Sequence, residues 1–427
     1  MLKTAGKVFI IIDALDECTA TDDLLQWLKH LASRKAQLIV TSRPEVEFQS
    51  AIPRSFGKRN CVQLDKNNIN ADVRSYVEAT LEQKPQFVRM ELSPSILEEI
   101  RDKIGDGADG MFRWAACQLE TLAGCLSPAD IEIALRSLPN DLNETYRRMI
   151  QNIPSEYKSS AIRLLQFLVY TKRPLTLPEA VEVVATEINQ EPRGFTVKRR
   201  LFQATDILRY CPSLVIIAEV TNYAETVEEL HLAHFSVKEY LLVQAQFDLE
   251  SASIAISKTC LTYLADIRGS HSTIRSDFPM ARYAAEYWTE YAVSAETSEG
   301  IIRLAVNFLK DETTFQLWCH LYQADLRWTN EPGPPRASRL YYACLAGLTG
   351  AARDLMTEGA DVNAQGGQYG NALQAASFGG HLQIVQSLLD KGADVNMQGG
   401  HFGNALQAAS YRGHLQIVQT LWDKGSD

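Results

Sequence analysis

The chain has 427 residues, 46% of them hydrophobic and 22% charged, which is several domains' length with the composition of folded protein. A formal net charge of −10 excludes a general nucleic-acid or anionic-membrane surface, since both need clustered Lys and Arg. The most apolar early run, residues 8–12, stops at Asp13, too short for a signal-peptide core or a membrane span. Eight scattered cysteines (Cys18, Cys61, Cys117, Cys125, Cys211, Cys260, Cys319 and Cys344) form no C-x-x-C pair. They predict reduced thiols in a cytoplasmic protein that touches neither membrane nor nucleic acid.

The chain opens on a buried-type strand, Val8-Phe9-Ile10-Ile11-Ile12, ending in the acids Asp13, Asp16 and Glu17. An amphipathic stretch with Leu24, Leu25, Leu28 and Leu31 follows, then a second apolar run, Gln37-Leu38-Ile39-Val40, ending in Thr41-Ser42-Arg43-Pro44. This order predicts a βαβ unit, in which ligands sit beyond the carboxyl ends of the strands. On spacing alone the acids would serve equally well as helix caps and solvating groups at a strand end. Asp-x-x-Asp-Glu at a strand tip resembles the Walker B element of a nucleoside triphosphatase, and Thr-Ser-Arg-Pro resembles the sensor 1 of the NACHT class of STAND ATPases. The resemblance implies that Asp13 helps hold Mg²⁺, that Asp16 and Glu17 orient the attacking water, and that Arg43 senses the γ-phosphate. No G-x-x-x-x-G-K-[ST] loop occurs in the sequence. The expectation is therefore a partial nucleotide domain over residues 1–70, with ATP and Mg²⁺ implied for the family and no cofactor for this chain as it stands. The family's phosphate-loop strand would lie between the Arg43 strand and a third strand at residues 61–64; without it the sheet should keep open edges or re-pair unusually.

Residues 71–125 read as helical, with 105–110 as a loop before Met111-Phe112-Arg113-Trp114, whose aromatics belong in a core. Residues 126–245 resemble the winged-helix region that follows NACHT modules in fungal STAND proteins. The likeness rests on Leu138-Pro139…Leu142 and on Arg173-Pro174-Leu175-Thr176-Leu177-Pro178-Glu179-Ala180, a short strand or turn running into a capped helix. In that family the winged helix is a switch packed on the nucleotide domain. His231-Leu232-Ala233-His234-Phe235-Ser236 offers two histidines without a third metal ligand. His234 matches the family's histidine that contacts the ADP β-phosphate; read locally, it caps a helix. Residues 246–330 read as a further helical array with packing aromatics, and 331–338, rich in Pro and Gly, as a linker.

From residue 339 the sequence repeats. Gly359-Ala360-Asp361-Val362-Asn363 returns as Gly392-Ala393-Asp394-Val395-Asn396, an offset of 33, and Asn371-Ala372-Leu373-Gln374 returns at Asn404. His381-Leu382-Gln383-Ile384-Val385 likewise returns at His414, and Ala343, Gly347 and Leu355 mark an earlier, more divergent unit. Each unit predicts a short Ala-rich helix and a second helix with one apolar stripe, which neighbours must stack to bury. The units resemble ankyrin repeats, although Asn-Ala-Leu-Gln stands where that family usually has Thr-Pro-Leu-His. The resemblance implies a protein partner along residues 339–427, with the loop-tip residues Gln368, Tyr369, His401 and Phe402 as candidate contacts. The last unit stops at Gly425 without a polar cap, so the array is expected to be cut short.

Together these motifs predict a mainly α protein with a small α/β part: a partial NACHT sheet, a helical and winged-helix region, a helical array and an ankyrin solenoid. They imply a fragment of a STAND-type signalling receptor that binds protein and is catalytically incomplete, with self-oligomerisation as in that class. The competing expectation is an ATP-dependent switch completed by an upstream phosphate-loop segment.

Overall fold

The computed structural model describes residues 8–15, 18, 21–33, 36–43, 46–62, 64, 66–222, 225–326 and 333–425. They form two compact units, Met1–Leu138 and Pro139–Asp427. The protein is mainly helical with a small sheet part.

In the first unit, strands β1 (Phe9–Ile12) and β2 (Gln37–Val40) pair in parallel, in register from Phe9 opposite Gln37 to Ile12 opposite Val40. Helix Thr21–Ser33 makes the crossover. Its Leu25, Leu28 and Leu31 recur at helical spacing and are buried, with Asp22 and Asp23 in the first turn favouring the positive end of the helix dipole. Alternation along the strands sends Ile12, Leu38 and Val40 toward Leu15, Leu25 and Leu28, while Phe9, Ile11 and Ile39 stay exposed on the opposite face. Among the described residues the sheet has only these two strands. The third strand expected at 61–64 is not formed: Cys61, Val62 and Leu64 are exposed and unpaired in any sheet, and Gln63 lies outside the described residues. A lone segment with no neighbour for its backbone gains nothing from extending.

Among the described residues six further α-helices complete the unit: Val46–Phe56, Lys66–Gln83, Pro85–Met90, Pro94–Gly107, Phe112–Ala123 and Pro128–Arg136. Gly105 and Gly107 belong to the end of a helix rather than to the expected loop. The turn is confined to residues 108–110, where Asp109 and Gly110 take positive φ, and Gly105 lets the helix approach the Arg74 side chain. Trp114 is buried as expected, whereas Phe112 stays at the surface, edge-on to Tyr76. Helix Pro128–Arg136 packs with this unit, not with the region beginning at 126.

The second unit begins with helices Leu142–Gln151 and Ser155–Tyr170. The short strand expected before a capped helix is β3 (Leu175–Thr176), followed by helix Leu177–Ala185. Thr176 and Glu179 form a reciprocal capping box there, and Pro178 fits the first turn, where its missing N–H is not needed. After the small pair β4 (Thr186–Glu187) and β5 (Gly194–Phe195), strands β6 (Val215–Asn222) and β7 (Glu225–Leu232) make a hairpin, and β3 joins β7 to give the order β3-β7-β6. Buried Glu182 is held by Arg200 at 2.6 Å, and Arg200 also stacks on Phe195 and Phe278. Burial pushes the Glu182 carboxyl up, and Arg200 opposes that shift.

The helical array comprises Leu249–Asp266, His271–Asp277, Ala281–Ser294, Glu299–Lys310 and Glu312–Leu321. Residues 327–332, which include the first two of the expected linker, lie outside the described residues. Gln323 Nε2 donates to the carbonyls of Gly333 and Pro334 at 3.0 and 2.9 Å, so residues 333–338 are docked chain. Three helix pairs follow: Arg339–Ala346 with Thr349–Thr357, Ala372–Gly379 with Leu382–Asp390, and Ala405–Arg412 with Leu415–Asp423.

The departure from the usual repeat turn has a structural answer. Asn371 caps its helix by accepting from the Gln374 N–H at 2.9 Å, and the Gln374 amide donates to Gly399 and Gly403 carbonyls of the next loop at 3.1 and 2.9 Å. Cap and cross-repeat tie therefore both come from Asn-x-x-Gln. Each loop closes on a glycine bridge, Gly366 with Gly370 and Gly399 with Gly403, and successive loops touch backbone to backbone. A Cβ on Gly400 would lie 2.2 Å from the Tyr369 carbonyl carbon. Gly400→Ala should therefore separate the two loops and destabilise the repeat stack by about 2 kcal/mol or more, read as a lowered midpoint of chemical unfolding.

His381 and His414 repeat one contact 33 residues apart: each Nε2 lies 3.2 Å from a carbonyl of the preceding repeat, Leu345 or Phe378. Burial lowers the His381 pKa; the Leu345 bond opposes the shift and His414 adds to it. The unfolded chain then binds the proton more readily than the folded one. Stability from this histidine is fully present above the ordinary value of about 6.5 and falls as pH drops below it. Unfolding of His381→Gln, followed between pH 8 and 5, should show a shallower acid loss than the parent.

Candidate functional site

Three places carry the candidate residues. At the sheet tip, the Thr41 N–H donates to the Ile12 carbonyl at 3.0 Å and the Leu15 N–H to the Thr41 carbonyl at 2.9 Å, extending the ladder past both strands. The Thr41 hydroxyl donates to the Asp13 carboxylate and accepts from the Ala14 N–H at 3.0 Å, where Ala14 turns through positive φ. Asp13, Thr41 and Arg43 thus share the exposed carboxyl end of the sheet. Asp16 and Glu17 lie outside the described residues. Toward a nucleotide-bound Mg²⁺ this tip offers one carboxylate and one hydroxyl, a set that needs phosphate oxygens and water to complete octahedral coordination. Among the described residues no group of three or more His, Cys, Asp and Glu side chains could hold a metal ion. Thr41 was visible in the sequence only as part of a motif; its role in fixing the Asp13 carboxylate needed the parallel register.

The second place is a cleft of about 340 Å³ in the winged-helix region, lined by Thr171, Arg173, His231, His234 and Lys238 among others. His234 is the N-cap of helix Phe235–Leu242: its Nδ1 accepts from the Ser236 N–H at 3.1 Å and lies 2.7 Å from the Ser236 hydroxyl. Ser236 in turn meets the Tyr146 hydroxyl at 2.8 Å. His231 Nε2 turns instead to Glu229 at 2.9 Å, so the two histidines do not converge on one ligand. Arg173 is held by both Glu179 oxygens, at 2.8 and 2.6 Å, and stacks over Tyr283.

The third place is the edge of the repeats. The expected loop-tip contacts divide. His401 is exposed, and Gln368 and Phe402 are half-buried. Tyr369 is buried, its ring stacked 4.2 Å from Phe378 and 6.0 Å from Phe402, so it holds the loops together and is withdrawn from any partner. The last helix pair exposes Tyr411 (72%), Leu415 (79%) and Trp422 (65%). Their equivalents one repeat earlier, Phe378, Leu382 and Leu389, are half-buried. The sequence carried that signal in apolar residues recurring at 33 on the outer positions of the final unit.

These folds define a multidomain chain with a winged-helix domain and an ankyrin stack, and comparison with known proteins bears this out. Residues 305–427 match the ankyrin-repeat model in three copies, residues 146–257 the winged-helix domain of GPI inositol-deacylase, and residues 1–43 the N-terminal model of nephrocystin 3. The chain is also 37% identical over 286 residues to the azaphilone pigments biosynthesis cluster protein L of Monascus ruber. That match covers 60% of this chain and 60% of the relative. Among the described residues no helix is long and apolar enough to cross a membrane.

If His234 acts as a cap, His234→Ala should cost about 1 kcal/mol of stability, and His234→Asn, whose side chain also accepts from the helix N–H groups, should restore most of it. Urea unfolding of the three proteins measures this directly.

Proposed function

We propose that this chain is the interaction arm of a STAND-type signalling protein, gripping a protein partner with its ankyrin stack. Ankyrin repeats generally mediate protein–protein contacts, and the carrying observation is the exposed row Tyr411, Leu415 and Trp422. An apolar row of this kind, flanked by exposed Gln407 and Arg412, suits an apolar protein surface. Exposed His401 extends the contact surface along the loop tips. The partial NACHT reading of residues 1–70, the switch role of the winged helix and self-oligomerisation belong to the same proposal.

A second reading, an ATP-dependent switch, is favoured by the Thr41-fixed Asp13 beside Arg43. In that reading Asp13 holds Mg²⁺, Asp16 and Glu17 orient water, and His234 reports on the β-phosphate.

Calorimetry separates the two. The chain titrated with Mg²⁺-ATP should give no micromolar binding, whereas micromolar binding abolished by Asp13→Ala would replace the first reading by the second. The first reading also predicts that Tyr411→Ala with Trp422→Ala leaves the unfolding midpoint nearly unchanged, since both side chains are exposed, yet weakens capture of the partner at least about tenfold. Undiminished capture by that double variant would remove the repeats' outer face from the interaction.

A further inference from the structure

The protein is acidic overall, yet one region of the second unit gathers cations. Two clefts of about 410 and 430 Å³ adjoin across Ile188, Asn189 and Lys258, each in the size range of small-molecule sites, and together they make up a groove. It lies where helix Ser155–Tyr170 and the segment between β4 and β5 meet helices Leu249–Asp266 and Glu299–Lys310. The first cleft presents Lys158, Arg163 and Lys258; the second presents Lys258, Arg193 and Arg303. No carboxylate lines either cleft.

Glu191 pairs with Arg193 at 3.2 Å. Glu187 lies within the field of Arg163, but its Oε1 accepts from the Asn189 and Gln190 N–H groups at 2.7 and 3.0 Å and makes no ion pair with the guanidinium. Lys158, Lys258 and Arg303 have no acid partner within the described residues.

The decisive group is Arg163. Its side chain is 2% exposed, its Nε donates to the Val183 carbonyl at 3.3 Å and one Nη to Ser160 at 3.2 Å, and its Nη1 is buried without any hydrogen-bond partner. A buried guanidinium is expensive, and its positive charge favours an anion in the adjoining cleft. Burial lowers its pKa to about 10, which leaves it charged at neutral pH. Beside it, Ile162, Ile254 and Ala255 give the first cleft an apolar floor, and Asn189, Ser251 and Asn307 add neutral hydrogen-bonding groups.

We propose that this groove binds a small organic molecule carrying two or more phosphate groups, its carbon skeleton against the isoleucines. One phosphate is served by Lys158 and Lys258 within the field of buried Arg163, and the other by Lys258, Arg193 and Arg303. The site is independent of the strand tip and of the repeats. Because its walls come from both the winged-helix region and the helical array, an occupied groove braces one against the other.

The test is binding of inositol hexakisphosphate and of inorganic pyrophosphate to the whole chain, by calorimetry and by the shift in unfolding temperature. Inositol hexakisphosphate should bind and raise the unfolding temperature, and Lys258→Glu with Arg303→Glu should weaken it at least about tenfold, both side chains lying outside the core. A control of equal charge change, Lys391→Glu with Lys424→Glu in the repeats, should leave binding intact. Equal loss in both double variants, or no binding of either probe up to about 1 mM, would overturn the proposal. Vesicles with and without phosphatidylinositol 4,5-bisphosphate identify the source: retention that depends on that lipid and on Lys258 assigns a headgroup, and a response to the soluble probes alone assigns a free polyphosphate.

Discussion

The repeat stack is anchored by one buried carboxylate. Asp325, at the end of the helical array, accepts from the Tyr341 hydroxyl at 2.9 Å and from the Gln368 N–H at 2.8 Å, and Tyr341 in turn accepts from the Tyr369 N–H at 3.2 Å. Both bonds fall on Oδ2, while the buried Oδ1 has no hydrogen-bond partner, so Tyr341 and Gln368 carry the whole compensation of this carboxylate and losing either would be costly. The contact fixes the first loop against the array, and every later loop is set by the one before it. Around it Trp288, Trp318 and Tyr342 stack edge to face at 5.3 and 5.7 Å, with the Trp318 N–H satisfied by the Ala285 carbonyl at 2.8 Å. The array and the repeats therefore share one core, and a load on the repeats is borne by the array rather than by a tether.

What could be read from the sequence follows from how local each feature is. The period of 33, the Ala-rich first helices and the capping box at Thr176 are near-neighbour patterns, and each appears where its residues predict. Long-range partners were invisible. Gln374 reads as a lost histidine until the next loop supplies the carbonyls it binds, and Tyr369 reads as an exposed tip until Phe378 and Phe402 close over it. The Pro-rich stretch before Arg339 reads as a linker because the Gln323 amide that docks it lies ten residues upstream of Gly333. Residues 61, 62 and 64 join no sheet for the converse reason: their apolar character was evident, but a strand needs a neighbour.

At the candidate sites the same distinction holds. Residue type alone placed Asp13 and Arg43 at a strand tip, because a parallel βαβ unit brings its carboxyl ends together by topology. The chemistry of that tip depends on the Thr41 hydroxyl, a residue whose identity gives no hint of its target. His234 illustrates how one imidazole can satisfy two descriptions. Its Nδ1 is committed to the helix it caps, which fixes the ring in the mouth of a cleft lined by Lys238 and Arg173, so capping and ligand contact are compatible geometries for one side chain.

The groove around Arg163 extends this argument from single residues to the joint between two regions. A protein with a net charge of −10 that keeps three unpaired cations on facing elements holds them together against their mutual repulsion, a cost that an acid in the lining would have removed. Nearby, Arg200 does have its acid, Glu182, through one carboxylate oxygen, and reaches across to the Asp277 carbonyl at 2.6 Å. The contrast between a paired cation and unpaired ones at a single joint fits a junction whose second fastening comes from outside the chain. A polyanion seated there would both relieve the repulsion and hold the winged-helix region to the array, so occupancy and rigidity of this joint are coupled by electrostatics alone.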